Sequence, residues 1–206
     1  LRDFAIDDYG TVDDRPYGGG AGMILKVEPI YKALSKISNI KYQISNKISN
    51  SKTKTKTILT SPKGKIFDQK KAQELSELDH LIIIAGHYED VDARVLDYVD
   101  EEISMGDFIL TGGEIPASAI VDSVVRLIPR VLKKDQATIQ ESFNINDKKI
   151  LEYPQYTRPE EFMGKKVPEV LLSGDHKKIE AWQIKKAYEE TLKKRPDLLE
   201  KYKNKT

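Results

Sequence analysis

The chain has 206 residues, of which 39% are hydrophobic and 33% charged, with a net charge of +1 and no cysteine. Disulfides, thiolate catalysis and cysteine metal sites are therefore excluded, and the length fits one core or a main domain with a small second one. No apolar run approaches the roughly 18 residues of a membrane span, and no signal-peptide pattern stands at the start, so we expect a cytoplasmic protein without membrane contacts.

The small net charge conceals a strong separation of charge along the chain. Residues 26–71 carry 12 lysines against two acidic residues, whereas residues 79–122 carry 11 acidic residues against one arginine. Residues 123–206 are basic again, with 19 basic and 13 acidic residues. This pattern permits nucleic-acid contacts at the edges and a cationic ligand in the centre, although a solvated surface would explain the same charges.

The first element is a loop, followed by a helix and a polar stretch. Residues 13–23, DDRPYGGGAGM, predict a loop because four glycines and a proline disfavour both helix and strand. Glu28 and Pro29 open a helix with proline at its first position. The apolar stripe of that helix comprises Ile30, Leu34 and Ile37. Residues 38–57 are polar and repetitive, which predicts a mobile basic linker.

Strands and helices then alternate, which indicates an α/β domain with a largely parallel sheet. We expect three strands, which are TILTSP ending at Pro62, a buried HLIIIAG and DFILTGGE. Between and after them we expect three helices, in chain order a helix capped by Asp68, a helical EDVDARVLDYV and an apolar IPASAIVDSVVRLIP bounded by prolines. Turns with polar groups follow the strands at residues 60–62, 86–89 and 111–114. Because ligands of open α/β folds bind at the carboxyl ends of strands, these loops predict one pocket.

The composition of the sequence changes from apolar to polar after Pro129. Residues 133–149 are polar and predict a linker, and residues 153–202 predict a small helical unit. Its main helix starts near Asp175. The apolar residues at helical spacing in this helix are Ile184, Tyr188 and Leu192.

Common catalytic motifs are absent from the sequence. GGGAG lacks the Lys-Ser/Thr of a P-loop, and Met23 stands where a dinucleotide motif has its third glycine. The histidines, none of which has a metal-site spacing to another, are His80, His87 and His176. Arg126, on an apolar helix, either faces solvent in a salt bridge or points at a negative group.

A set of longer motifs occurs together and in order. These are TVDDRPYGGGAGM, LTSPKGKIFDQ, IIIAGHYEDVDARV, SMGDFILTGGEIPASAIVDSVVRLIPRVL, YPQYTRP, VPEVLLSGDH and RPDLL. In them the chain resembles, over practically its whole length, the bacterial tRNA (guanine-N1)-methyltransferases of the SPOUT class. The resemblance implies an α/β domain with a deep trefoil knot and a small α-helical C-terminal domain. It divides the chain into a cofactor-binding domain at 1–134, a flexible linker at 135–150 and a tRNA-binding domain at 151–206.

The resemblance also implies an activity and its partners. The methyl group of S-adenosylmethionine would be transferred to N1 of guanosine 37 of tRNA, immediately 3′ of the anticodon. The enzyme would be an obligate homodimer with active sites at the subunit interface. A requirement for Mg²⁺ is implied by the family alone, and no cluster in the sequence resembles a metal site.

The site residues follow from the same resemblance. Arg126 matches the catalytic arginine of the family, and Glu141 stands where the family commonly has an aspartate as base. The residues that match the cofactor-binding segments are Ser61, Pro62, Gly86, Tyr88, Glu89, Met105, Gly106, Asp107, Phe108, Ile109, Leu110, Gly112, Gly113 and Pro116. The loop residues assigned to the substrate are Tyr17, Gly18, Gly19 and Gly20.

Two departures from the family pattern leave alternatives open. Family members begin with some tens of residues that form a first strand and helix, so we expect that strand to be missing from the sheet. Asp90 stands where the family usually has glycine, which is harmless unless the backbone there requires a positive φ. One alternative is a truncated form that binds S-adenosylmethionine or RNA with little catalysis. Another is a knot methyltransferase that acts on a different RNA site.

Overall fold

The computed structural model describes residues 1–47, 53–133, 138, 140–145 and 148–199, and within the first helix it describes side chains up to residue 37. The chain divides into two compact units, Leu1–Val131 and Leu132–Thr206. The functional domain boundaries given above remain predictions. No helix in the described ranges combines the length and apolarity needed to cross a membrane.

The first unit is an α/β unit with a small hairpin. Its elements are β1 (Asp13–Asp14), β2 (Ile24–Leu25), α1 (Val27–Lys47), β3 (Thr55–Ile66), α2 (Gln69–Ser76), β4 (His80–Ala85), β5 (Glu101–Ser104) and α3 (Glu114–Val125), with 3-10 helices at Arg2–Phe4 and Ala93–Tyr98. Strands β4, β3 and β5 form a parallel sheet with β3 in the centre. The expected α/β class with a parallel sheet is thus confirmed.

The central strand β3 carries a core on each face of the sheet. Ile58 and Leu59 are both fully buried, and successive residues of a strand point to opposite faces. Ile58 packs in a cluster with residues of α2, β5 and α3, whereas Leu59 packs with Leu25, Ile30 and the segment around Val91. The sheet therefore lies between two helical layers, and its carboxyl edge is left to form a site.

The strand predicted to end at Pro62 runs on to Ile66, so that prediction was wrong. Its pairing with β5 shifts register between Thr60 and Lys65, both of which face Ile103. The extra residues form a bulge, which accommodates a proline that cannot donate to the ladder. A Cβ on Gly64 in this bulge would lie 2.4 Å from the backbone carbon of Glu102, so only glycine fits there.

The strand predicted as DFILTGGE was also wrong, because the strand that pairs with β3 is β5, just before it. The sequence did not indicate β5 as a strand, because two of its four residues are glutamates. Glu101 lies 2.8 Å from Lys56 Nζ and 3.0 Å from Lys71 Nζ, so its charge is balanced by neighbours distant in sequence. The apolar residues Phe108 and Ile109 instead lie exposed in the loop that follows.

Several other local boundaries differ from prediction. Helix α1 starts two residues before Pro29 and continues to Lys47, so the first part of the predicted linker 38–57 is helical. Its last residues, 55–57, belong to β3, and residues 48–52 lie outside the described residues. Ile37 is exposed, so the buried stripe of α1 does not extend that far. Strand β4 is partly exposed along its length rather than buried.

Helical predictions around the second half of this unit are confirmed only in part. Helix α2 begins after Asp68, whose carboxylate accepts a hydrogen bond from the backbone N–H of Lys71, as expected of an N-cap. The predicted helix EDVDARVLDYV contains only the 3-10 helix Ala93–Tyr98. Helix α3 starts before Pro116 and ends at Val125, short of Pro129.

The second unit contains a short hairpin, β6 (Glu161–Phe162) and β7 (Lys165–Lys166), and two helices, α4 (Glu169–Leu172) and α5 (His176–Lys194). Asp175 caps α5, as predicted. The helix predicted from the spacing of Ile184, Tyr188 and Leu192 is thus confirmed, although Tyr188 and Leu192 are exposed and its buried residues are Ala187 and Thr191. Ile145 and Ile150, from the predicted linker, pack in this core with Ala187. Residues 134–137, 139 and 146–147 of that linker lie outside the described residues.

Candidate active site

A cavity of about 340 Å³ opens at the carboxyl ends of β4 and β5 and beside the bulge of β3. This volume lies at the lower end of the range of about 300–1,000 Å³ typical of small-molecule sites. The residues that line it are Thr60, Ser61, Pro62, Gly86, His87, Tyr88, Glu89, Asp90, Ile103, Ser104, Met105, Gly106, Phe108, Ile109, Leu110, Thr111, Gly112, Gly113 and Pro116. The predicted pocket at the strand ends is therefore present.

Of the residues assigned to the cofactor, all but Asp107 line this cavity. The lining residues that the assignment missed are Thr60, His87, Asp90, Ile103, Ser104 and Thr111. All of these are close neighbours of assigned residues in the same segments. Their closeness in sequence to the assigned residues was thus the signal that could have found them.

Backbone contacts join the loop after β4 to the start of α3. The N–H of Gly113 donates to the carbonyl of Gly86 at 2.7 Å, and His87 pairs with Gly112 in an antiparallel bridge. A Cβ on Gly113 would lie 2.2 Å from Thr60 Oγ1 and 2.8 Å from the backbone nitrogen of Gly86. Glycine is therefore required for this close approach.

A tight turn closes another side of the cavity. The hydroxyl of Ser104 accepts from the N–H of Gly106 at 3.1 Å and also donates to the carbonyl of Gly106 at 3.2 Å. Gly106 has a φ of 138°, a backbone conformation that favours glycine. This turn presents exposed Phe108 and Ile109 beside the cavity, so the site combines apolar side chains with backbone polar groups.

Tyr88 adopts a strained backbone conformation, with a φ of 62°. Its ring meets that of His87 edge to face, with 4.7 Å between the centroids. The following residue holds this loop, because the N–H of Glu89 donates to the carbonyl of Met23 at 3.1 Å. His87 Nδ1 lies 3.4 Å from Glu114 Oε1 at the start of α3. Strained residues are enriched at functional sites, which supports a ligand-binding role for this loop.

The glycine-rich loop is the connection of a hairpin, since Asp13 and Asp14 pair with Leu25 and Ile24. The residues with positive φ in this loop are Gly18, Gly19, Gly20 and Gly22. A Cβ on Gly22 would lie 2.4 Å from Cγ of Glu89, so the hairpin contacts the loop that lines the cavity. Tyr17, Gly18, Gly19 and Gly20 are exposed and do not line the cavity, so their substrate role remains a prediction.

The charges at the cavity include one close ion pair. Lys63 Nζ lies 2.7 Å from Asp90 Oδ2, and this hydrogen bond raises the pKa of Lys63. Asp90 does not adopt a positive φ, so its backbone accepts a side chain where the family usually has glycine. Glu89 and Asp90 place two carboxylates at the cavity. Because Asp90 is paired with Lys63, Glu89 is the carboxylate that suits a cationic ligand.

The predicted catalytic residues lie in different units. Arg126 is half-buried at the end of α3, where its N–H donates to the carbonyl of Asp122 at 3.3 Å. Glu141 is half-buried in the second unit, and its carbonyl accepts from the N–H of Asn144 at 3.0 Å. Their catalytic roles therefore remain predictions. Within the described ranges, no group of three His, Cys, Asp or Glu side chains could hold a metal ion.

Comparison with known proteins gives full-length matches. The family model described as tRNA (guanine-1)-methyltransferase TrmD matches residues 1–201. The tRNA (guanine-N(1)-)-methyltransferase of Dictyoglomus turgidum is 52% identical over 201 residues, which cover 98% of this chain and 76% of that protein. The enzymes of the same name from Endomicrobium trichonymphae and Bacillus pumilus are each 47% identical. The match to the Endomicrobium enzyme covers 98% of this chain and 84% of that enzyme. The match to the Bacillus enzyme covers 100% of this chain and 80% of that enzyme.

Proposed function

The chain belongs to the tRNA (guanine-1)-methyltransferase family, and we propose that it methylates N1 of the guanosine immediately 3′ of the tRNA anticodon. Family membership confirms the resemblance and the class of enzyme, a tRNA methyltransferase. The observation that carries the proposal is the convergence of the β3 bulge and the loops after β4 and β5 on one cavity. These loops contain the family motifs on which the resemblance rests.

We assign this cavity to S-adenosylmethionine. When bound, this molecule supplies an electrophilic methyl group on a positively charged sulfur. The glycines at 86, 112 and 113 bring backbone N–H and carbonyl groups close together, which suits a site that recognises adenine and ribose by backbone contacts. The carboxylate of Glu89 favours the cationic part of the ligand. Exposed Phe108 and Ile109 supply apolar surface.

The chemistry requires a base and a stabilising cation. N1 of guanine carries a proton and is a poor nucleophile until that proton is removed. We assign the N1 proton to the carboxylate of Glu141, which would act as general base while N1 takes the methyl group. The bond between the methyl carbon and the sulfur would break at the same time, and S-adenosylhomocysteine would leave with the bonding pair on its neutral sulfur. The guanidinium of Arg126 stabilises the negative charge that grows on O6 as the proton leaves. A glutamate retains the chemistry of the family's usual aspartate and extends its reach by one methylene.

The glycine-rich hairpin loop is proposed as the wall of the guanine site. Gly18, Gly19 and Gly20 leave the backbone bare, so a base can approach it closely. The basic C-terminal unit, with its lysines on α5, is proposed to contact tRNA phosphates. Because the substrate is tRNA, we also propose a cytoplasmic location.

We further propose a SPOUT-type trefoil knot and a homodimer. Helix α3 presents two apolar side chains four residues apart, Val121 and Val125, to solvent, and exposed Ile128 follows the end of the helix. An exposed apolar face of this kind is typical of a protein interface. For the Mg²⁺ that the resemblance implies, the described residues offer no set of three ligands, and we derive no step through it.

The test of the function is transfer of labelled methyl from S-adenosylmethionine to two tRNA transcripts. The transcripts differ only in having guanosine or adenosine immediately 3′ of the anticodon. We expect label on the guanosine transcript alone. Equal labelling of both would disprove the site assignment and retain a methyltransferase, whereas no labelling of either would favour a form that only binds.

A further inference from the structure

We propose that Lys63 and Asp90 are a positioning pair that holds two loops of the cavity together and thereby sets the affinity for S-adenosylmethionine. This inference rests on the proposed function, because it concerns the same cavity. Neither residue was assigned to the site on the basis of the resemblance. The pair connects the bulge of β3 with the loop after β4.

The ion pair spans two lining segments. Lys63 Nζ lies 2.7 Å from Asp90 Oδ2. Lys63 directly follows Ser61 and Pro62, and Asp90 directly follows Tyr88 and Glu89, all four of which line the cavity. A shift of either partner therefore moves residues that contact the ligand. The Ser61 hydroxyl also accepts from the N–H of Lys63 at 3.2 Å, which ties the lysine backbone to the cavity wall.

Asp90 is the fixed partner. Its other carboxylate oxygen, Oδ1, accepts from the N–H of Val91 at 2.8 Å. Its carbonyl accepts from the N–H of Leu25 in β2 at 3.1 Å. The carboxylate of Asp90 is therefore fixed by the backbone of Val91, and its own backbone is fixed by the hairpin, so the Asp90 side chain offers Lys63 a constant position.

Asp90 lies in a loop that contains a strained residue. Tyr88, two residues earlier, has a φ of 62°, which costs conformational free energy, so contacts from neighbouring residues must hold this loop in place. The ion pair supplies that support from a second strand.

The expected effect is modest because Lys63 is well exposed. The side chains of Lys63 and Asp90 are 70% and 22% exposed, and pairs of this kind are weak and screened by salt. We expect loss of the pair to weaken S-adenosylmethionine binding by about two- to fivefold. The KM for S-adenosylmethionine should rise accordingly, while the kcat and the KM for tRNA stay unchanged.

The test is a double-mutant cycle on the full chain. K63M, D90N and the double variant are compared with the unsubstituted protein by calorimetric titration with S-adenosylmethionine, at low salt and in 1 M salt. Asn at position 90 keeps the acceptor for Val91, and K63R keeps the pair. A matched control is R94M, since Arg94 pairs with Asp92 at 2.6 Å with nearly the same exposures, 68% and 24%, yet neither residue lines the cavity.

Support requires that K63M and D90N weaken binding alike, that the double variant is no weaker than either, and that the difference disappears in 1 M salt. K63R and R94M should bind as the unsubstituted protein does. Unchanged affinity in both single variants, or additive losses, would overturn the inference alone. An unsubstituted protein that does not bind S-adenosylmethionine would overturn the proposed function, and this inference with it.

Discussion

Gly113 and Thr60 approach so closely that any side chain on the glycine would collide with the threonine. A Cβ at position 113 would lie 2.2 Å from Thr60 Oγ1 and 2.9 Å from Cα of Ala85. The contact joins the start of α3 to the central strand and to the end of β4. Because Thr60 and Gly113 both line the cavity, this contact fixes the position of that part of the cavity wall.

G113A is expected to damage the site. The added methyl group would collide with the side chain of Thr60 and with the backbone of Ala85 and Gly86. Such overpacking costs about 1–3 kcal/mol of folding free energy. We expect a lower melting temperature and loss of measurable S-adenosylmethionine binding by calorimetry. G86A is the control for folding, because its Cβ would meet only Val91 Cγ1 at an ordinary 3.6 Å. A G113A protein as stable as G86A would contradict the close contact.

E141Q is expected to slow methyl transfer about 10²- to 10⁴-fold, the range for loss of a general base. The amide cannot accept the N1 proton, whereas binding of S-adenosylmethionine should be unchanged. Single-turnover transfer of labelled methyl to tRNA measures the chemical step directly. E141D retains a carboxylate and should recover most of the rate. An E141Q enzyme with the unsubstituted rate would assign the base to another residue.

R126A tests the stabilising cation separately. Loss of one such group typically costs about 10²- to 10³-fold in rate. We expect kcat to fall by that factor, and R126K to recover part of it because a charge without the planar fork stabilises O6 less well. Circular dichroism checks that helix α3 is retained. The assignment fails if R126A alters only the KM for S-adenosylmethionine.

Helix α3 should mediate a dimer. V121E combined with V125E places charges on its exposed apolar side, while buried Ile120 and Val124 keep the core intact. We expect light scattering to show a dimer for the unsubstituted protein and a monomer for this variant, with similar melting temperatures. E114Q, on the same helix without an added charge, should remain a dimer. If light scattering showed that the unsubstituted protein is a monomer at micromolar concentration, the proposed assembly would be contradicted.

The charge network around Glu74 should make stability depend on acid pH. Hydrogen bonds from Lys56 and Lys71, at 2.7 and 2.6 Å, lower the pKa of Glu74 from its ordinary 4.5 to about 2. A carboxyl whose pKa is lower in the folded state stabilises the fold above its unfolded pKa, and that contribution is lost as the pH falls from about 4.5 to about 2.

Because Glu74 is half-exposed, its removal should cost at most about 1 kcal/mol of the free energy of unfolding at neutral pH. Urea unfolding of E74Q and the unsubstituted protein should therefore differ at pH 7 and converge near pH 2. E77Q, at the exposed end of the same helix, controls for loss of an acidic residue there. A difference that persists undiminished at pH 2 would show that the carboxylate charge is not its source.

Local sequence signals predicted the parts of the fold that depend on neighbouring residues. Asp68 and Asp175 cap their helices, and the apolar run at 80–85 forms a strand. Capping and strand propensity act over a few residues, so they are legible in the sequence itself. The cavity-lining segments at 60–62 and 86–89 were found in the same way, because each follows an apolar run, whereas residues 107–114, after β5, were predicted as a strand.

The tertiary structure decided what depends on residues distant in sequence. Strand β5 holds its acidic residues because Lys56 and Lys71 neutralise Glu101 from other elements. Strand β3 passes Pro62 because Lys65 and Ile66 pair again with β5 beyond the bulge. The Lys63–Asp90 pair likewise joins residues 27 positions apart. Strand pairing, charge compensation and close packing are set by which segments meet in space, and a local pattern carries no information about that.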